Sequence, residues 1–324
     1  MIRIALSFSL TLLLSLAVSA SALAQAWPSK TVRVVLSQPP GSSPDILARL
    51  LAERLTKQWG QAVLIENRPG GQNIVGAQVA AKAAPDGYSF YYATTAALVT
   101  NLYTFKSLPY DPRKDFTPVG MIGLSPFVIA VHPDLPVKSL DDLVAYAKSN
   151  PDKLSVATEG TKTLSGLLAD MIAATGGVKI LHVPYNGVQP GILDTIAGRT
   201  QLTVQSSTAL NVHLKRGALR PIAVSAPKRV SGLEQVATLG ETWPGFQYVG
   251  WHAVVAPAGT PEEAIRRFNR DLDAAMKEPD VAQRLVEFGI VTEGAGTPAE
   301  LGEFLRAEHG RWSKLAKDIG VVPE

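Results

Sequence analysis

The chain has 324 residues, with 31 Lys and Arg against 28 Asp and Glu, a formal net charge of +3. This near balance, without a basic tract, argues against binding to nucleic acid or to a membrane surface. Cysteine is absent, which excludes disulfides, a cysteine nucleophile and an N-terminal lipid-modified cysteine, so core burial must stabilise the fold.

The first 24 residues have the pattern of a cleaved export signal. Arg3 precedes an apolar run over residues 4–18, and Ala22-Leu23-Ala24 has the small-residue spacing that a signal peptidase reads. We expect cleavage before Gln25, leaving 300 residues with a formal charge of +2, which is enough chain for two core-bearing domains. No later stretch reaches the roughly 18–20 apolar residues of a spanning helix. The sequence therefore predicts an exported protein that an outer membrane retains in the periplasm.

Strand-like apolar runs alternate with helical patterns, which predicts βαβ units and an α/β fold with largely parallel sheets covered by helices. The predicted strands are Val32–Ser37, Ala62–Glu66, Ser89–Thr94, Leu154–Thr158, Ile180–Tyr185, Gln201–Gln205 and Pro221–Ser225. The predicted helices are Ile46–Trp59, Asn73–Ala83, Leu140–Lys148, Leu164–Ala174, Pro190–Ala197, Ala209–Arg216, Pro261–Met276, Pro279–Phe288 and Pro298–Asp318. Helix C-caps are expected at Gly60, Gly176, Gly198 and Gly217.

Two long strand-like runs, Pro118–His132 and Gln247–Ala256, interrupt the alternation. We interpret them as paired crossovers between two lobes. Lobe one is predicted to comprise residues 25–122 and 250–324, and lobe two residues 123–249.

The loop from Pro39 to Asp45 lies between a predicted strand and a predicted helix. Ser43 is a suitable N-cap and Pro44 suits the first helical position, so the unpaired N–H groups of the helix would face the loop. Gly41 allows close approach to the backbone, and the loop carries no catalytic side chain apart from Asp45 at its end. The pattern favours binding of a carboxylate or phosphate over catalysis, although an ordinary strand-to-helix turn would look similar.

Lobe two repeats this arrangement, with a polar loop from Thr158 to Thr163 between a strand and a helix. Both loops follow parallel strands, and open α/β sheets bind ligands at that edge. Two cradles facing each other could hold the two ends of a dicarboxylate, or one carboxylate and a polar tail. Thr94 and Thr95 end another strand and could donate hydroxyls, while Tyr185 and Asn186 could line the cleft.

Other chemistries lack their motifs. The Gly-rich loop at 66–73 has Asn73 where a dinucleotide fingerprint needs its second glycine, so we interpret this loop mainly as a turn and cap. Residues 160–163 lack the glycine spacing of a P-loop, and the five histidines form no metal-ligand pattern. G-x-S-x-G is also absent, so we predict no cofactor, no metal and no enzymatic activity.

Several motifs resemble one family along the whole mature chain. They are Pro39-Pro40-Gly41 with Asp45 and Ala48-Arg49, then Glu66-Asn67-Arg68-Pro69-Gly70, Ala83-Ala84-Pro85-Asp86-Gly87-Tyr88, Leu108-Pro109-Tyr110-Asp111-Pro112 with Lys114-Asp115-Phe116, Val183-Pro184-Tyr185 with Gly187, and Ala256-Pro257-Ala258-Gly259-Thr260-Pro261. The chain resembles the substrate-binding receptors of tripartite tricarboxylate transporters, the Bug family.

The resemblance implies a type II periplasmic binding protein, in which two lobes close around a carboxylate and a membrane permease receives it. The family commonly has glycine at position 42, glycine near Lys162, histidine at position 166 and aspartate at position 205. Gln205 here removes a partner for a ligand ammonium and Lys162 adds a positive charge, so a wholly anionic ligand is favoured, although Lys162 could instead face water.

We therefore predict a monomeric carboxylate receptor that serves permease subunits of a tripartite transporter. Its predicted ligand-binding residues are Pro40, Gly41, Ser42, Ser43, Asp45, Thr94, Thr95, Thr158, Gly160, Thr161, Lys162, Thr163, Ser165, Tyr185, Asn186, Gln205 and Ser206. A sensory receptor that engages a kinase is the alternative, and a secreted hydrolase would require a cluster of perturbed carboxylates in the cleft.

Overall fold

The computed structural model describes residues 27–246, 248–318 and 320–323, and for Ser43 the backbone alone. The predicted signal segment and its cleavage site before Gln25 lie outside the described residues. The strands are β1 Val32–Leu36, β2 Val63–Asn67, β3 Ser89–Thr94, β4 Phe116–Ser125, β5 Phe127–Val131, β6 Ser155–Thr158, β7 Leu181–Pro184, β8 Leu202–Ser206, β9 Arg220–Val224 and β10 Gly250–Pro257. The α-helices are α1 Ser43–Trp59, α2 Ile74–Ala81, α3 Asn101–Thr104, α4 Leu140–Ser149, α5 Leu164–Gly176, α6 Val188–Ile196, α7 Ser207–Lys215, α8 Leu239–Thr242, α9 Glu262–Met276, α10 Pro279–Glu287 and α11 Pro298–Asp318.

Two five-stranded sheets form the centres of two lobes. Their strand orders are β2-β1-β3-β10-β4 and β7-β6-β8-β5-β9. β1 is parallel to β2 and β3, and β6 is parallel to β7 and β8, whereas β10 and β5 run antiparallel to both of their neighbours. The predicted α/β fold with two helix-covered lobes is confirmed, and the sheets are mixed because each contains one strand that enters from the other lobe.

The two connections between the lobes lie side by side. β4 ends at Ser125 and β5 begins two residues later, while Gly250 at the start of β10 pairs with Ser125. A Cβ atom at Gly250 would lie 2.9 Å from the Ser125 carbonyl oxygen, so glycine permits the close approach of these strands. The lobe boundaries at 122/123 and 249/250 stay a prediction; in this structure β4 continues in the first sheet to Ser125.

Apolar side chains cover both faces of each sheet. One buried cluster contains strand residues of both lobes and includes Trp251 and Trp312. The indole of Trp251 donates to the Glu308 carboxylate on α11 (3.0 Å), which ties the C-terminal helix to the strand that returns from lobe two. Gly60 caps α1 in the left-handed conformation as predicted, whereas Gly177 rather than Gly176 caps α5. In the described part of the chain, we find no helix both long and apolar enough to cross a membrane.

Candidate functional site

The first loop, residues 37–42, connects β1 to α1. The helix begins at Ser43 with Ser42 as N-cap, so the prediction of Ser43 as N-cap is wrong by one residue. The Ser42 hydroxyl does not cap the helix but donates to the Pro39 carbonyl (2.8 Å), because the loop turns back on itself there. Pro40 and Gly41 are exposed, and Gly41 has a φ of 79° that favours glycine.

Asp45 holds this loop from the inside. Its buried carboxylate accepts hydrogen bonds from the Gly41 N–H (2.8 Å), Asn67 Nδ2 (2.8 Å) and Arg49 Nε (3.0 Å). Burial alone would raise the pKa of Asp45, but the bonds from Arg49, Asn67 and Gly41 together hold this pKa below its usual value. The carboxylate is therefore ionised and engaged with protein groups, and it occupies one of the loop amides that sequence reasoning assigned to a ligand.

Residues 70–73, immediately before α2, form a segment of positive φ beside the first loop. Gly70, Gly71, Gln72 and Asn73 all have positive φ, and the carboxamide of Asn73 bonds to Gln38 (3.0 Å) and to Thr94 (3.3 Å). Sequence reasoning interpreted this segment mainly as a turn and cap. The sequence signal that could have identified this segment as part of the site is the glycine pair Gly70-Gly71 followed by the two amide residues Gln72 and Asn73.

Several predicted hydroxyls lie at the ends of parallel strands. Thr94, Thr158 and Ser206 are the last residues of β3, β6 and β8, and Thr95 follows Thr94. Each accepts a hydrogen bond from an N–H: Asn73 Nδ2 to Thr94 (3.3 Å), Trp251 N to Thr95 (2.9 Å), Gly160 N to Thr158 (3.4 Å) and Ala209 N to Ser206 (3.3 Å). A hydroxyl that accepts from an N–H keeps its own O–H bond to donate. The arrangement therefore places hydroxyl groups that can still donate at the carboxyl edge of both sheets.

The second loop, residues 158–163, is closed by its own hydrogen bonds. Thr163 is the N-cap of α5 and accepts from the Gly166 N–H (3.3 Å), while its hydroxyl bonds to the Gly160 carbonyl (2.6 Å). Ser165 is fully buried and accepts from the Glu159 N–H (3.3 Å). Thr161 is exposed at the tip. A Cβ atom at Gly166 would lie 2.3 Å from the Gly160 carbonyl oxygen, so this loop requires glycine beneath it.

Charged groups surround the second loop. Burial raises the pKa of Glu159 to about 7. Burial also raises the pKa of Asp170 on α5, against the charges of His182 and Lys162. The Lys162 ammonium donates to the Val322 carbonyl (3.2 Å), so it reaches the C-terminal segment that follows α11. Sequence reasoning missed Glu159, whose burial depends on the folded loop.

The remaining predicted residues line the same edge of lobe two. Tyr185 donates through its N–H to the Thr158 carbonyl (2.9 Å), and its hydroxyl donates to Asp194 (2.8 Å) on α6. Asn186 is exposed. Gln205 on β8 is buried, and its Nε2 has no hydrogen-bond partner among the described side chains and backbone.

The family model for the tripartite tricarboxylate transporter family receptor matches residues 47–321. The chain belongs to that family. The resemblance drawn from the sequence motifs is thus confirmed, and receptors of this family bind substrates in the periplasm.

Relatives match over almost their whole length. A UPF0065 protein of Bordetella bronchiseptica is 35% identical over 311 residues, covering 96% of this chain and 92% of that protein. BugT of Bordetella pertussis is 30% identical over 306 residues, covering 94% of each.

Solved structures share the fold, among them one with adipate and one with bound malate. Rpa4515 of R. palustris with adipate has a TM-score of 0.84 at 34% identity, covering 92% of this chain and all of that one. MatC of Rhodopseudomonas palustris with bound malate has a TM-score of 0.79 at 28% identity, covering 90% and 100%. The predicted type II periplasmic binding protein fold is confirmed.

Proposed function

We propose that this receptor captures a small carboxylate between its two lobes and delivers it to the membrane permease of a tripartite transporter. The observation that carries the proposal is the set of strand-end hydroxyls in both lobes. Thr95 in lobe one, and Thr158 and Ser206 in lobe two, accept from N–H groups and thus keep their O–H groups to donate. Donors on both lobes suit an acceptor-rich anion that bridges them.

The two loops complete the proposed site. Pro40, Gly41, Ser42 and the backbone of Ser43 would face the ligand from lobe one, with Asp45 fixing the loop. The second loop would contribute from lobe two through Gly160, Thr161, Lys162, Thr163 and Ser165, with Tyr185, Asn186 and Gln205 at its side. The adipate and malate in the related structures support a carboxylate as the ligand class.

Closure of the lobes is the proposed mechanism of capture. The lobes are joined by the two adjacent strands around Ser125 and Gly250, which is the connection expected for hinge motion. The ligand would stabilise the closed form because it contacts both lobes at once. Removal of the segment before Gln25 and monomeric delivery to a permease belong to the same proposal.

A receptor without catalysis is proposed on family grounds. The family is a receptor family, and none of the hydrogen bonds between described residues joins a serine or threonine hydroxyl to a histidine. The two carboxyls with raised pKa values, Glu159 and Asp170, receive no hydrogen bond from a serine or threonine hydroxyl among the described residues.

Thermal shift and calorimetry test the ligand class. Adipate, malate and other small carboxylates are titrated into the mature protein, with glucose and an amine as controls. A ligand at 100 times its dissociation constant adds about 2.7 kcal/mol to the free energy of unfolding, which is readily measured. Stabilisation by the controls and by no carboxylate would refute the proposal. Uptake of the bound acid by cells with and without the gene then tests delivery.

A further inference from the structure

Gln38 lies at the start of the exposed part of the first loop and is held from two sides. Its backbone carbonyl accepts from Asn67 Nδ2 (3.0 Å), and its side-chain Nε2 donates to Asn73 Oδ1 (3.0 Å). Its Oε1 is shielded from water and has no hydrogen-bond partner among the residues that the structure describes. An amide that is fixed in place with one end unsatisfied is unusual in a folded protein and calls for a partner.

Asn73 is the residue that fixes the side chain of Gln38. Its φ of 77° is left-handed, a conformation that asparagine tolerates better than most residues with a side chain. Its carbonyl accepts from the Ser37 hydroxyl (3.1 Å), and its carboxamide spans from Gln38 after β1 to Thr94 at the end of β3. The left-handed backbone thus carries an amide across the carboxyl edge of the first sheet.

The chain Thr94–Asn73–Gln38 can run in two hydrogen-bond directions. In the direction described here, Asn73 donates to Thr94 and Gln38 donates to Asn73, which leaves Gln38 Oε1 as the free acceptor. Turning both carboxamides end for end keeps their shape, because the O and NH₂ groups are nearly equal in size. The Thr94 hydroxyl then donates to Asn73, Asn73 donates to Gln38, and Gln38 Nε2 becomes a free donor.

We propose that Gln38 is a specificity-determining residue of the carboxylate site, with Asn73 as its positioning residue. In the bound protein the chain runs in the reversed direction, and Gln38 Nε2 donates to a ligand carboxylate oxygen. In the opposite direction, Gln38 Oε1 accepts a hydrogen bond from a ligand hydroxyl. The same amide therefore recognises either the carboxylate or the hydroxyl of a hydroxy acid, and it rejects an alkyl group. This inference rests on the proposed function.

Calorimetric titration with adipate and malate tests the assignment, using whichever acid binds the wild-type protein. Gln38→Ala should weaken binding about tenfold, the scale of one hydrogen bond to a charged group. Gln38→Glu should weaken it further because two carboxylates repel. The matched controls are Gln283→Ala and Gln283→Glu, at an exposed glutamine of α10, and they should leave affinity unchanged.

Asn73→Gly tests the positioning role, because glycine keeps the left-handed backbone and removes only the carboxamide. We expect about the same loss as in Gln38→Ala and no additional loss in the double variant, since both changes disable one contact. Additive losses would overturn the positioning role.

Unchanged affinity in both Gln38 variants would overturn the specificity role, even if Asn73→Gly does not fold. The melting temperature without ligand establishes which variants are folded. If the wild-type protein binds no acid, the proposed function itself fails. If the wild-type protein binds an acid and the Gln38 variants bind it equally well, only the role of Gln38 fails.

Discussion

Glu159→Gln should make the protein more stable at pH 8 and should have a much smaller effect on its stability at pH 5. Glu159 is partly buried in the second loop, and burial raises its pKa from 4.5 to about 7. The charge of Glu159 also acts on Tyr248. Burial raises the pKa of Tyr248, and the charges of Glu159 and Asp170 raise this pKa further. Glutamine has nearly the same shape and no charge, so the substitution removes only the cost of ionising a shielded carboxyl.

The sign follows from proton linkage. The folded protein holds the Glu159 proton more tightly than the unfolded chain, so stability is fully present below the unfolded pKa of 4.5 and is lost as pH rises through about 7. A shift of this size corresponds to at most about 3 kcal/mol at pH 8. Because the residue keeps some contact with water, we expect about 2 kcal/mol, equivalent to several degrees in melting temperature.

Urea unfolding at pH 5, 6, 7 and 8 measures the effect for the wild-type protein and the variant. Asp170 is present in both proteins, so its own titration cancels in the difference. Glu303→Gln, at an exposed position of α11, is the matched control and should give a constant difference. A stability gap between Glu159→Gln and wild type that is the same at pH 5 and pH 8 would refute the reasoning. Carboxylate affinity should fall over the same pH range in the wild-type protein alone.

Three further substitutions have defined outcomes. Asp45→Asn removes the charged acceptor of three hydrogen bonds and should cost about 2 kcal/mol in urea unfolding at pH 7, with a smaller effect at low pH, since the pKa of Asp45 is lowered. Gly166→Ala should displace the second loop, because the new Cβ meets two backbone carbonyls, and should weaken ligand binding at least tenfold in calorimetry. The control is Gly310→Ala on α11, where a Cβ has open space, and it should leave the affinity unchanged. Asn211→Ala removes the donor to the Glu287 carbonyl (2.9 Å), a hydrogen bond between α7 and α10. Small-angle scattering of the ligand-free variant should therefore show a larger radius of gyration. An unchanged radius would contradict a role of this bond in holding the lobes together.

Most helix and strand bounds were predictable to within two residues, whereas the starts of α1 and β10 were predicted three residues away, at Ile46 and Gln247. β3 was predicted with its observed bounds because an aromatic and apolar run lies between polar turns, and α11 because Thr297-Pro298 and Glu300 mark its start. The loops and their strand-end hydroxyls follow from the same short-range chemistry. The antiparallel direction of β5 and β10 was not predicted, because it depends on strand pairing between segments far apart in the chain.

The candidate site was harder to predict wherever its contacts are long-range. Asp45 was assigned to the ligand, although Arg49 one turn later on the same helix could have indicated an ion pair within the protein. Lys162 reaches a carbonyl 160 residues away, and the sequence spacing contains no sign of that contact. Gln38 and Asn73 have the composition of an ordinary turn, and only the fold places their carboxamides in one hydrogen-bonded chain.

Lobe two is attached to the C-terminal part of lobe one largely through backbone carbonyls. Lys162 donates to Val322, Ser207 to Gly289 (3.3 Å), Thr208 to Phe288 and Asn211 to Glu287. Each such bond contributes about 1 kcal/mol net, so the four together stabilise this arrangement by about 4 kcal/mol. A ligand bound with micromolar affinity contributes about 8 kcal/mol, shared between the lobes. The free energy of ligand binding exceeds that of these hydrogen bonds, so a carboxylate that touches both lobes can shift the equilibrium between their open and closed forms, whereas one that touches a single lobe leaves it unchanged.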